Sequence, residues 1–287
     1  RALRSSPDYP HLLGNWVHTK MKVCDWSGLG AAFERLAVDI AAGNPVASPF
    51  AILGTPLPAA LQRRCAEMLI EAKFPAIARP SDAAFSARHD KIRVGYFSAD
   101  LYSHATAYLM AGLFETHDRS RFELTAFSFG PPVSDPMRAR LDAAFDRFID
   151  VREKTDADIA LLARTLEIDI AVDLKGFTQD GRPGIFARRA APLQVSYLGY
   201  PGTMGADYID YLIADPTLIP AEHVACYTEK IAYLPHTYQA NDARRIIADR
   251  EPTRQEAGLP EQGFVFCCFN NNWKITPGVF DLWMRLL

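Results

Sequence analysis

The feature that most constrains this sequence is a series of seven short apolar runs between residues 93 and 234. Each run is typical of a strand buried on both faces, and amphipathic helical patterns separate most of them. Such alternation predicts a mainly parallel, doubly wound α/β sheet. The predicted strands are 94–98, 123–129, 148–151, 169–174, 193–198, 211–214 and 230–234.

The segments on either side of this region differ in pattern. Residues 1–88 predict a helical junction with an extended connector from Ser48 to Gly54, and a polar segment at 79–90 marks its boundary. Residues 89–250 then form a Rossmann-like lobe, with a charged linker beginning at residue 240. The apolar run 264–269 predicts the first strand of a further α/β unit, so residues 251–287 are expected to begin a second lobe. Because a helical pattern is still running at Leu287 and Arg1 is no natural start, we expect a longer protein.

Composition excludes several classes of protein. With 287 residues and 49% hydrophobic content, the chain can build two domains. A net charge of −3 gives no basic footprint for nucleic acid. The five cysteines lack CxxC spacing, which favours free thiols in a reducing compartment over a zinc site. No apolar run approaches the length of a membrane span, so the sequence predicts a soluble, cytoplasmic protein without a membrane partner.

The stretch RVGYFSADLYSHAT, residues 93–106, joins the first predicted strand to a helix. Asp100, Ser103 and His104 follow the strand directly, where α/β sheets place their ligands. A carboxylate and an imidazole at this point suit a functional site. The alternative is that Asp100 caps the helix and His104 is an ordinary loop residue. Residue types alone do not separate the two.

Two more loops are expected at the same edge of the sheet, at residues 176–181 and 198–205. The second has glycines spaced G-x-x-G-x-x-G, which is not the dinucleotide-binding fingerprint. Glycine would let backbone amides approach a ligand closely. By itself, a tight turn between strands explains this loop better.

Two further motifs carry charge next to a helix start. Asp156-Ala157-Asp158 matches a metal-binding D-x-D, but with Thr155 it is better explained as a helix cap. Lys274 follows the 264–269 run, where an ammonium is well placed for phosphate, although loop lysines are usually just solvated. His236 follows the last strand and suits either a structural or a site role. The other histidines, His223 among them, give no functional signal.

Four segments, in this order, resemble the catalytic region of bacterial protein O-GlcNAc transferases: RVGYFSADLYSHAT, LGYPGTMGADYIDYLIAD, EKIAYLPHTY and CCFNNNWKITP. The stretch KVCDWSGL resembles the junction at which that family's tetratricopeptide superhelix meets the catalytic part. The resemblance extends from Cys24 to the end of the chain. It implies a GT-B fold of two Rossmann-like lobes, with UDP-GlcNAc bound between them.

The resemblance also implies an activity, namely inverting transfer of GlcNAc from UDP-GlcNAc to a Ser or Thr hydroxyl, without a metal or other cofactor. The implied partners are UDP-GlcNAc, a protein or peptide acceptor and the remainder of the nucleotide-binding second lobe. His104 and Asp100 match positions that handle the acceptor proton, and Lys274 matches the lysine facing the diphosphate. The positions matching contacts to the nucleotide sugar are Thr106, Leu198, Gly199, Pro201, Asn271 and Trp273.

One departure from the family pattern is Phe50, which stands where the animal enzymes carry a histidine once proposed as catalytic. The segment between the lobes is also short. Three alternatives stay open: a catalytically degenerate scaffold, a UDP-sugar epimerase, and another GT-B transferase with a different acceptor. The presence of both His104 and Lys274 favours an enzyme over a scaffold.

Overall fold

The computed structural model describes residue 5, residues 9–77 and residues 89–287. Most of the predicted boundary segment 79–90 therefore lies outside the described residues. The seven predicted strands are confirmed, and all pair in parallel within one sheet. They are β1 (Ile92–Ser98), β2 (Phe122–Ser128), β3 (Arg147–Asp150), β4 (Ile170–Asp173), β5 (Leu193–Ser196), β6 (Tyr211–Ala214) and β7 (Lys230–Tyr233).

The strand order is β3-β2-β1-β4-β5-β6-β7. The strands β2 and β3 are added on one side of β1, and the strands from β4 onward are added on its other side. The neighbouring strands β1 and β4 therefore form a topological switch point, which is where open α/β sheets bind ligands. In the register of these two strands, Phe97 pairs with Asp173. The loops that leave β1 and β4 therefore start side by side.

Helices cover both faces of this sheet. They are α5 (Ala105–Glu115), α6 (Pro136–Ala144), α7 (Asp156–Thr165), α8 (Pro183–Phe186) and a 3₁₀ helix (Ala221–Cys226). On one face, Phe97 and Phe127 stack at 4.3 Å between ring centroids, and Phe97 also contacts Phe186. On the other face, Phe114 and Leu124 are completely buried. Burying each such side chain contributes about 1.5–3 kcal/mol.

Helix α7 confirms the capping interpretation of the D-x-D motif. The Thr155 hydroxyl accepts a hydrogen bond from the Asp158 N–H, and the Asp158 carboxylate accepts one from the Thr155 N–H. Asp156 forms an ion pair with Arg182 at 2.6 Å. Both carboxylates therefore have structural partners.

The amino-terminal helices α1 (Leu12–Lys22), α2 (Leu29–Ala41), α3 (Pro49–Ile52) and α4 (Ala59–Lys73) surround a separate apolar core. The prediction of an extended connector from Ser48 to Gly54 was wrong, since α3 is a short helix. Proline lies at its amino-terminal end, where the missing N–H costs nothing, and Ser48 precedes it in an extended conformation.

The prediction of a strand at 264–269 was also wrong. These residues have no strand assignment, and the Phe264 and Phe269 side chains are 82% and 96% exposed. In the described part of the chain no strand lies beside them to accept their backbone hydrogen bonds, and an isolated strand is not stable. A 3₁₀ turn (Asn272–Lys274) and α9 (Pro277–Leu286) follow.

The segment after this run packs on the amino-terminal helices. The Trp26 indole N–H donates to the Ile275 carbonyl at 3.2 Å, and the Trp26 and Phe280 rings are 5.3 Å apart. The Asn272 side chain donates to the carbonyl of Lys22. Residues far apart in sequence thus meet at one edge of the helical region.

The predicted linker is ordered at its start. Arg140 on α6 forms ion pairs with Glu115 at 2.7 Å and with Asp242 at 2.6 Å. The Asp242 side chain is completely buried, so the chain is fixed to the sheet's helices beyond residue 240. Within the described ranges, no helix is both long and apolar enough to cross a membrane.

Candidate active site

The loop after β1 places Asp100 at the switch point of the sheet. Its N–H donates to the Ser98 hydroxyl at 2.9 Å. The ammonium of Lys175, on the loop after β4, lies 2.6 Å from Asp100 Oδ2. The exposed fractions of these side chains are 10% and 5%, so the ion pair is almost entirely buried.

A second carboxylate shapes the turn that carries Lys175. Asp173 ends β4, and its Oδ1 accepts hydrogen bonds from the N–H groups of Lys175 and Gly176 at 2.8 and 3.2 Å. Burial raises the pKa of Asp173 to about 6. The other oxygen, Oδ2, is buried without a hydrogen-bond partner among the described residues.

His104 is the N-cap of α5, a role that one sequence interpretation gave to Asp100. Its Nδ1 accepts the Thr106 N–H at 3.2 Å, while Asp100 Oδ2 lies 3.6 Å from the same nitrogen. One ring nitrogen cannot accept from one group and donate to the other, and 3.6 Å is too long for a hydrogen bond. The cap is therefore the real contact, and because Nδ1 accepts a hydrogen bond, the ring N–H lies at Nε2.

Thr106 completes this group. The residue is buried, and its hydroxyl lies 3.5 Å from Asp100 Oδ2. Asp100, His104, Thr106 and Lys175 thus form one polar cluster at the carboxyl ends of β1 and β4. Sequence reasoning named the first three and missed Lys175.

The loop after β5 has a constrained backbone. Leu198 has a φ of 66°, a left-handed conformation that costs a non-glycine residue about 1 kcal/mol or more. A Cβ atom at Gly199 would lie 1.9 Å from the Leu174 carbonyl oxygen. This close contact explains why glycine follows Leu198, and it joins the loops after β4 and β5.

An open cleft of about 780 Å³ lies beside this loop. Four predicted site residues line it: Gly199, Pro201, Trp273 and Lys274. Sequence reasoning missed others, which are His223, Tyr227 and Tyr238. Phe50 also lines the cleft, with its ring 6.2 Å from that of Trp273.

The remaining predicted residues lie outside this lining. Leu198 packs with the apolar core on the α5 face of the sheet, next to the residues that line the cleft. Asn271 is exposed, as is His236, and neither lines the cleft. The site therefore has two parts, the polar cluster and the cleft, and they meet where Gly199 packs against the backbone of Leu174 and Lys175.

Comparison with known proteins places this arrangement in a family. Residues 60–251, more than half of the chain, match the family described as glycosyl transferase family 41. The chain belongs to glycosyl transferase family 41. Its Rossmann-like sheet and its strand-end loops fall within the matched segment.

This family 41 chain resembles several curated eukaryotic proteins. It is 36% identical over 202 residues to the probable UDP-N-acetylglucosamine–peptide N-acetylglucosaminyltransferase SEC of Arabidopsis thaliana. The aligned segment covers 69% of this chain and 21% of that relative. It is 32% identical over 179 residues to the UDP-N-acetylglucosamine–peptide N-acetylglucosaminyltransferase of Caenorhabditis elegans, covering 59% and 16%. The chain thus spans about a fifth of the length of these relatives.

A solved structure resembles the family 41 chain over almost its whole length. It is a lysine-to-methionine mutant of the Thermobaculum terrenum O-GlcNAc transferase. The TM-score is 0.71 at 30% identity, covering 95% of this chain and 51% of the other. The predicted α/β class and its GT-B type are confirmed by this match and by the parallel sheet.

Proposed function

We propose that the protein to which this chain belongs transfers GlcNAc from UDP-GlcNAc to a Ser or Thr hydroxyl of a protein or peptide. Family membership and the printed activities of the relatives support the proposal. The observation that carries it is that Lys274 lines one cleft with Gly199 and Pro201, although the lysine and this loop are far apart in sequence. A cleft that combines a glycine-containing loop with an exposed cation suits a sugar diphosphate.

The proposed reaction is a single displacement at the anomeric carbon. The acceptor oxygen forms the new bond, the bond to the β-phosphate oxygen breaks, and UDP leaves with its electron pair. Lys274 is exposed in the cleft, where its ammonium would stabilise the charge that grows on the diphosphate. No protein nucleophile is required, and the anomeric configuration inverts.

We assign the acceptor proton to the cluster of Asp100 and His104. A hydroxyl becomes a better nucleophile when a nearby group accepts its proton as the new bond forms. The Asp100 carboxylate is the proton acceptor in this cluster, because the lone pair on Nδ1 of His104 already accepts a hydrogen bond from the Thr106 N–H. Nε2 of His104 then acts as a hydrogen-bond donor.

We further propose that the transfer needs no metal and takes place in the cytoplasm. Thr155 and Arg182 occupy the carboxylates of the D-x-D motif. All five cysteines are free, which suits a reducing compartment. Turnover should therefore persist in EDTA, and loss of turnover that manganese restores would contradict the first proposal.

The test is mass spectrometry of a Ser/Thr-rich peptide incubated with UDP-GlcNAc and the full-length protein. The expected product is a peptide carrying one added HexNAc. Lys274→Met should reduce its formation strongly, whereas Lys230→Met should not, because Lys230 is an exposed lysine at the amino end of β7 that does not line the cleft. Free UDP together with an altered sugar, and no peptide adduct, would favour the epimerase. UDP binding without any turnover would favour the scaffold.

A further inference from the structure

The buried ammonium of Lys175 has no part in the reaction as described so far. Its side chain is 5% exposed, at the end of β4 next to the switch point. Its ammonium lies 2.6 Å from Asp100 Oδ2. A lysine buried to this extent loses its hydration, so it persists as a cation only with a partner of this kind.

The two oxygens of Asp100 have different surroundings. Oδ2 accepts a hydrogen bond from the Lys175 ammonium, and the Thr106 hydroxyl lies 3.5 Å from the same atom. Oδ1 accepts no hydrogen bond from the described residues. It is not a buried, unsatisfied atom either, so part of its surface is exposed. Oδ1 is therefore the oxygen that remains accessible to a substrate hydroxyl.

We propose that Lys175 is a positioning residue of the transfer reaction. It fixes Oδ2, lowers the cost of burying the negative charge of the carboxylate, and leaves Oδ1 to receive the acceptor's hydrogen bond and proton. The inference rests on the proposed function and adds to it a residue that acts only through Asp100. Its physical basis is that burial penalises a charged carboxylate, and an adjacent ammonium offsets this penalty.

The test is a double-mutant cycle in the full-length protein, with peptide glycosylation measured per folded molecule. Asp100→Asn should lower kcat about 10²–10³-fold, and Lys175→Met should lower it by a similar factor. The double variant should be no slower than Asp100→Asn, because Lys175 has no other path to the reaction. UDP affinity should stay unchanged in all three variants.

The matched control is Arg189→Met. The buried side chain of Arg189 forms an ion pair with the half-buried Asp210 at 2.7 Å, at the amino-terminal edge of the sheet. Its loss should lower the melting temperature without lowering kcat. If Lys175→Met does not fold, Lys175→Gln replaces it in the cycle, since an amide donates to Oδ2 without a charge.

The outcomes separate the two proposals. A wild-type protein that does not modify the peptide would remove both. A wild-type protein that does, combined with an unchanged kcat in the Lys175 variant, would remove only the positioning role. Fold-changes that multiply in the double variant would also overturn it, because they would mean that Lys175 acts independently of Asp100.

Discussion

Replacing Gly199 with alanine adds a single methyl group at the tightest point of the proposed sugar-binding loop. That Cβ would lie 1.9 Å from the Leu174 carbonyl oxygen and 2.8 Å from its carbon. Both neighbours are backbone atoms at the end of β4, so neither can rotate away. The loop after β5 must therefore move by about 1.5 Å before the contact reaches an ordinary distance.

The magnitude follows from this geometry. Inserting a methyl group into a packed region typically costs about 1–3 kcal/mol, and a contact between two backbone segments belongs at the upper end. For a chain of this size each kcal/mol lowers the melting temperature by about 2–4 °C, so we expect a fall of about 5–10 °C. Because Gly199 and Pro201 line the cleft, the displacement should also weaken UDP-GlcNAc binding by about tenfold or more.

Thermal melts and titration with UDP-GlcNAc measure the two effects. The control is Gly30→Ala on α2, where a Cβ would have no neighbour within 4 Å. Alanine also favours a helix over glycine, so this variant should melt at the wild-type temperature or above it. If Gly199→Ala melts and binds like the control, the loops after β4 and β5 do not press together as described.

Three further variants test the cap, the imidazole and a buried carboxylate. Thr155→Ala should lower the free energy of unfolding in urea by about 1 kcal/mol, because the Asp158 N–H loses its acceptor. His104→Asn should keep the α5 cap but lose the imidazole, so turnover about 10²-fold below wild type at unchanged stability would separate catalysis from capping. Burial raises the pKa of Asp173 from 3.8 to about 6, so the folded protein binds this proton more tightly than the unfolded chain. The contribution of Asp173 to the free energy of unfolding therefore falls as the pH rises across that range. Relative to wild type, Asp173→Asn should therefore gain about 2 kcal/mol in its free energy of unfolding in urea between pH 4 and pH 7.

The sheet could be predicted because its signal is local. A strand buried on both faces is a short apolar run, and each of the seven runs lies in the parallel sheet. Phe264 to Phe269 carries the same signal without forming a strand, because a strand also needs a neighbour for its backbone groups. Periodicity indicates which residues favour burial, but it contains no information about whether a neighbouring strand is present.

The cleft could be predicted only in part for the same reason. Glycine and proline in the loop after β5 give a local signal, whereas His223 and Tyr238 join the cleft through the packing of separate loops. His223 was accordingly assigned no role from sequence. A histidine on a short 3₁₀ helix without buried residues has no local feature that distinguishes a cleft residue from a solvated one.

Lys175 shows how strand order determines what a residue does. In sequence it is a lysine after an apolar run, a position at which lysines are usually solvated. Only the adjacency of β1 and β4 brings it against Asp100, 75 positions earlier, and buries both. Since a parallel sheet places its switch point between strands that are not consecutive, charged residues directly after those two strands deserve testing as a pair. Asp100 alone suggests a base or a cap, but Asp100 with Lys175 is a fixed carboxylate with one accessible oxygen.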